Sequence, residues 1–167
     1  MAGLLLSMAS EEENRPDIRI ETVPGVTAAT AGAAILGAPL MNDFCVISLS
    51  DRLTPWSVIA LRLRAAAQGD FVICLYNPAS RGRPKHLHRA CKILLEAGKK
   101  PETICGWVRN IGRNGQDSGI LTLEQLLSFP ADMFTTVYIG SNSTRVTNGR
   151  IVTPRGYHTE KSRPCKE

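Results

Sequence analysis

Two short segments put polar groups where a ligand could reach them. In Val23-Pro24-Gly25-Val26-Thr27 a strand pattern hands over to a helix pattern. Helix N-termini carry free N–H groups, and ligands of open α/β sheets bind at the carboxyl ends of strands. Gly25 would let a ligand approach the backbone, and Thr27 offers a hydroxyl. The same segment also reads as a capped turn packed on a neighbouring helix. Leu75-Tyr76-Asn77-Pro78 repeats the arrangement after a more apolar strand. Asn77 can donate to and accept from a heterocycle, or can serve only an Asn-Pro turn. Arg81, Arg83, Lys85, His86, His88 and Arg89 follow, and Arg109, Arg113, Arg145, Arg150 and Arg155 lie in later loops. Placed along one edge of a sheet, such arginines suit a carboxylate or phosphate; unplaced, they are solvated loops.

Other chemistries are poorly served. His86 and His88 are two apart, so on a helix they do not share a face, and no third ligand is near; no metal is expected. Gly-x-Gly-x-x-Gly, a Walker loop, a nucleophile elbow and the zinc-deaminase pattern are all missing. Few aromatics lie among the basic residues, so base stacking with nucleic acid is not expected. The five cysteines, Cys45, Cys74, Cys91, Cys105 and Cys165, form no C-x-x-C pair. Three sit inside apolar runs, as small core residues of a reducing compartment do. The first residues are apolar but lack a basic n-region, so a cytoplasmic protein is expected. No apolar run approaches the roughly 20 residues that span a bilayer, and no membrane partner is expected.

The elements that must position these residues follow from periodicity and punctuation. Residues 1 to 15 read as a helix stopped by Pro16, and Ile18, Ile20 and Val23 as a strand. A helix over Ala28 to Leu36 ends at Gly37. Phe44 to Leu49 is a strand, and Thr54-Pro55 opens a helix to Gln68. Phe71 to Tyr76 is nearly all apolar, as a strand covered on both faces is. A helix from Pro84 places Leu87, Cys91, Leu94 and Leu95 on one face. Thr103 to Val108, Ile120-Leu121 and Thr136 to Ile139 read as strands, with capping-box spacing at Thr122 and Gln125. Asn148-Gly149 signals a two-residue hairpin. Alternating strands and helices predict an α/β fold whose mixed, mostly parallel sheet is flanked by helices, the last hairpin supplying the antiparallel part.

Composition agrees with a globular chain: 167 residues, 43% hydrophobic and 21% charged, with a net charge of +5 that favours anionic ligands. Residues 1–40 cannot bury their own faces. They read as the remnant of an earlier domain, with 41–157 as the main domain and 158–167 as a loose tail. Charge alone also admits a non-catalytic basic module for nucleic acid or an anionic metabolite, or an inactive fragment.

Val23 to Ala29, Leu36-Gly37-Ala38-Pro39-Leu40-Met41, Ser48-Leu49-Ser50-Asp51, Tyr76-Asn77-Pro78, Val108-Arg109-Asn110 and Val152-Thr153-Pro154-Arg155 together resemble the tetrapyrrole methylase family. Within it they are similar to members that methylate carbon 17 of precorrin-3B in cobalamin synthesis. The resemblance implies two α/β domains, a homodimer, and S-adenosyl-L-methionine in the interdomain cleft. The implied reaction is C17 methylation, with ring contraction, of precorrin-3B or cobalt-precorrin-3. Carried over, Gly25, Thr27, Tyr76, Asn77, Val108, Arg109, Asn110 and Thr136 would contact the cofactor, with Thr135 beside them. Arg81, Arg83 and Arg113 would meet the carboxylates of the tetrapyrrole substrate. Asp51, at a strand end, is the candidate for acid/base work, or else an N-cap near Pro55. The family's glycine- and proline-rich first loop and G-D-P loop precede the segment that matches Met1. The chain therefore reads as the carboxyl-terminal two-thirds, expected to bind the cofactor weakly or not at all alone.

Overall fold

A computed structural model describes residues 2–10 and 19–156. Helix α1 (Ala2–Ser10) and helix α2 (Ala28–Leu36) come first. A two-residue strand β1 (Gly37–Ala38) and strand β2 (Phe44–Ser48) follow. Helix α3 (Trp56–Gln68), strand β3 (Val72–Tyr76) and helix α4 (His86–Glu96) come next. Strands β4 (Ile104–Arg109) and β5 (Asp117–Thr122) precede the short helix α5 (Leu123–Leu126). Strand β6 (Thr135–Ile139) and the hairpin β7 (Arg145–Thr147) and β8 (Arg150–Val152) complete the order.

The main sheet has the order β2-β3-β6-β4-β5. The α/β class, the mixed sheet and the flanking helices agree with expectation. The parallel majority does not. Of the ladders in this sheet, only β2 with β3 is parallel, while β3 with β6, β6 with β4 and β4 with β5 are antiparallel. The reason is an insertion. Strands β2, β3 and β4 do run the same way, joined through α3 and α4, but β6 runs opposite and lies between β3 and β4. The hairpin is not what mixes this sheet: it pairs with β1 in a separate three-stranded sheet. Its turn forms as expected, with Asn148 at φ 50° and Gly149 at φ 73°.

Strand alternation divides the core into two layers. Ile73, Leu75, Cys105, Val137 and Ile139 face α3, α4 and α5, where Ile59, Leu63, Leu87, Cys91, Leu94 and Leu126 are buried. On α4 these fall at helical spacing, one face inward. Cys74, Val108 and Tyr138 face the other way, onto Ala29, Ala33 and Leu36 of α2 and Ile151 of the hairpin. Helix α2 approaches closely because glycine stands at two contacts. A Cβ at Gly32 would clash with the Tyr138 hydroxyl, and one at Gly106 would lie 2.7 Å from Leu36 and Ile151.

The strand expected over Ile18, Ile20 and Val23 is not formed among the described residues. Residues 19–27 form no strand, and Val23 and Val26 are 85% and 81% exposed. Propensity makes no ladder without a neighbour, and no described strand lies beside it. Pro16, Ile18 and the tail 158–167 lie outside the described residues.

Candidate functional site

Because β6 runs opposite to its neighbours, its amino end lies beside the carboxyl ends of β3 and β4. Register pairs Arg109 with Thr135 and Val108 with Thr136, and Leu75 with Val137. At this edge a cleft of about 250 Å³ opens, lined by Tyr76, Asn77, Asn110, Arg113, Thr135 and Thr136 from three strand ends, with Ala28, Ile111, Met133 and Phe134. The last two are 61% and 60% exposed.

Two asparagines turn the chain at the rim. Asn77 and Asn110 adopt φ 53° and 52°, a left-handed conformation that Asn tolerates better than most residues. Asn77 Nδ2 donates to Ser48 Oγ at 2.9 Å, and Asn110 Nδ2 donates to the Gly115 carbonyl at 3.2 Å. Tyr76 presents its ring to the cleft, while its hydroxyl accepts the Ala29 N–H at 2.8 Å and shares a hydrogen bond with Thr27 Oγ1. Thr27 itself makes no side-chain cap. The free N-terminus of α2 is thus capped by a tyrosine 47 residues away. Tyr138, beneath it, lies 2.9 Å from the Ala28 and Ala29 carbonyls, and burial pushes its phenol pKa up.

The structure thus gathers Tyr76, Asn77, Asn110, Arg113, Thr135 and Thr136, with Thr27 attached through Tyr76. Other residues singled out in the sequence stand elsewhere. Gly25 is exposed, and a Cβ there would meet nothing. Val108 points into the α2 layer and is wholly buried. Arg109, one position on, points to the opposite face; its Nε lies 3.1 Å from Asp132 Oδ2 and its Nη2 donates to the Pro130 carbonyl. Arg81 is exposed outside the cleft lining.

Arg83 and Asp51 form a separate cluster. Arg83 Nη1 donates to Ser50 Oγ at 2.8 Å and lies 3.4 Å from Asp51 Oδ1. His86 Nε2 is 2.9 Å from Asp51 Oδ2. The His86 ring meets the Trp56 ring edge-on, and Arg89 lies over Trp56 at 4.0 Å. The hydrogen bond from His86, then the charge of that ring and, last, a hydrogen bond from Arg83, hold the Asp51 carboxyl below its ordinary 3.8 against the opposing effect of burial. Asp51 is not the N-cap of α3; Pro55 takes that place, without a side-chain cap.

Sequence reading missed Ile111, Met133 and Phe134, and the Asp132 that holds the turn at Phe134 and Thr135. One local signal existed: Asp132 and Thr135 have the spacing of a side-chain-closed turn, and their side chains do bond, Thr135 Oγ1 to Asp132 Oδ1 at 2.7 Å. Burial raises the thiols of Cys74 and Cys91 to about 12, so neither offers a thiolate at neutral pH. Among the described residues no group of three His, Cys, Asp or Glu could hold a metal ion. No described helix is long and apolar enough to cross a membrane.

Residues 2–127 match the family described as tetrapyrrole (corrin/porphyrin) methylases. The chain belongs to that family. It is 48% identical, over 94% of its length, to the probable cobalt-factor III C(17)-methyltransferase of Salmonella typhimurium, of which it covers 64%. It is 43% identical, over 84% of its length, to the precorrin-3B C(17)-methyltransferase of a Sinorhizobium species, of which it covers 57%. Among solved structures, the methyltransferase CobJ superposes with a TM-score of 0.82 at 36% identity, over 92% of this chain and 63% of that one. The chain thus spans somewhat less than two thirds of the length of these methylases.

Proposed function

We propose that the cleft at the ends of β3, β4 and β6 holds S-adenosyl-L-methionine in the C17 methylation of precorrin-3B or its cobalt analogue. The observation that carries this reading is the lining itself. Asn77, Asn110, Thr135 and Thr136 offer amides and hydroxyls around Met133, Phe134 and Ile111. That mixture of a few polar groups on an apolar wall suits a nucleoside. The donor set therefore fits the cofactor, and about 250 Å³ is near the low end for a ligand pocket, so part of the molecule would lie outside these walls.

When bound, the sulfonium supplies an activated methyl group. The chain's own residues then position and shield. Thr136 is 5% exposed, and its hydroxyl stands at the amino end of β6, where its position is held by the ladder to Val108. A rigid wall of this kind reduces the entropy lost on in-line approach and excludes water. Arg113 is the cationic residue of the lining, and we assign it to a carboxylate of the tetrapyrrole. Asp51 and Arg83 bind each other, and we assign them to shaping the flank of the site rather than to acid/base work. Helix α2 and the run before it belong, on this reading, with the first domain of the family fold, docked on the main domain through Gly32 and Gly106. A cytoplasmic homodimer is the matching assembly.

Calorimetric titration with S-adenosylhomocysteine tests the reading, using this chain beside a version extended to the relatives' length. Binding in the micromolar-to-millimolar range, weakened about tenfold or more by Asn77→Ala with Thr136→Ala, is the expected result. No binding by either version would overturn it.

A further inference from the structure

Met133 and Phe134 are large apolar side chains left more than half exposed on the turn before β6. Exposed apolar groups beside a cleft mark a ligand-facing wall. What holds the turn is polar and comes from below. Asp132 Oδ1 accepts the Phe134 N–H at 3.0 Å and the Thr135 hydroxyl at 2.7 Å. The other carboxylate oxygen lies 3.1 Å from Arg109 Nε as an ion pair, without the alignment of a hydrogen bond. The same guanidinium takes the Pro130 carbonyl at 3.1 Å, at the start of the turn. Above, the Asn110 N–H donates to the Phe134 carbonyl at 3.2 Å. Arg109 thus touches both ends of the 130–132 approach and does not line the cleft.

We propose that Arg109 is a positioning residue that acts on the cleft through Asp132, latching the turn so that Met133 and Phe134 form one wall of the ligand site. The ligand side rests on the methyl-donor reading above; the latch itself does not. A guanidinium suits the task because its planar fork can hold a carboxylate and a carbonyl at once, which an ammonium does less well.

Two measurements on the 167-residue chain separate the parts. Amide hydrogen exchange is followed at Phe134, Thr135 and Asn110 in wild type, Arg109→Gln, Arg109→Lys, Asp132→Asn and the double variant Arg109→Gln/Asp132→Asn. S-adenosylhomocysteine affinity is titrated in the same set. The latch predicts faster exchange at those amides in Arg109→Gln and Asp132→Asn, with exchange in α4 unchanged. It also predicts affinity weakened about tenfold in each, no further loss in the double variant, and partial recovery in Arg109→Lys. Unchanged exchange would overturn the latch. Faster exchange with unchanged affinity would overturn the positioning role. Affinity lost in Arg109→Gln but kept in Asp132→Asn would overturn it too, since Arg109 would then meet the ligand itself. If the 167-residue wild type does not bind, the titrations are run in the version extended to the relatives' length; if neither binds, the methyl-donor reading fails, and exchange alone decides the latch.

Discussion

Adjacent residues with similar motif value do unlike work. Val108, Arg109 and Asn110 are consecutive, yet one is core, one anchors a turn and one lines the cleft. Strand alternation separates the first two, and the left-handed step at Asn110 turns the third outward. Asp51 shows the same at a single carboxylate. Its folded pKa is depressed by the His86 hydrogen bond and then by charge. A depressed carboxyl contributes stability that is present above its unfolded value and lost as pH falls through the folded one. Wild type should therefore lose stability on acidification below the ordinary 3.8 more steeply than Asp51→Asn does. Urea midpoints measured across that range, compared with those at neutral pH, check this. Equal slopes in the two proteins would remove the pair from the acid response.

At the scale of elements, the position of α2 decides whether the cleft has its near wall. The helix is short and nearly uncharged, so packing rather than propensity holds it. Its contacts need hydrogen at two positions, since a Cβ at Gly32 or Gly106 would press on Tyr138 or on Leu36 and Ile151. Gly32→Ala and Gly106→Ala should each cost about 1–3 kcal/mol, despite the better helix propensity of Ala at position 32. Gly82→Ala, where a Cβ meets nothing, should stay within about 0.5 kcal/mol. Chemical denaturation of the three variants checks the ranking. A Gly32→Ala variant as stable as wild type would mean that α2 can shift outward freely. The Tyr76 hydroxyl at the N-terminus of α2 ties this packing to the cleft, because its ring is also in the lining.

In the whole molecule, a buried cation ties elements together at the edge opposite the cleft. Lys99 has a 3% exposed side chain, and its Nζ donates to the Gly140 carbonyl at 2.8 Å and Asp70 Oδ1 at 3.0 Å. Asp70 in turn accepts the Asn142 N–H. This clasp joins the start of β3, the end of α4 and the end of β6. Asp70→Asn keeps the left-handed backbone at φ 51° acceptable but leaves the ammonium short of a counter-charge. It should cost about 2 kcal/mol after allowance for the partial exposure of Asp70, and more than Lys99→Met at about 1 kcal/mol. Thermal unfolding of both variants checks the order, and the reverse order would mean that the Gly140 contact dominates. Much of this architecture was legible beforehand. The helices α2, α3 and α4, strands β2 to β4, the capping box at Thr122 and the Asn148-Gly149 turn follow from periodicity and turn chemistry, which are local. So does the Asn77-Pro78 turn, whereas Asn110 is reached only through the family resemblance that its segment carries. Where β6 inserts, which face Arg109 serves, that Tyr76 caps α2, and that Arg83 and Asp51 take each other rather than a ligand were settled only by the fold. Each depends on residues tens of positions apart, brought together by ladder register and by burial of two apolar layers, and no local pattern in the chain encodes such meetings.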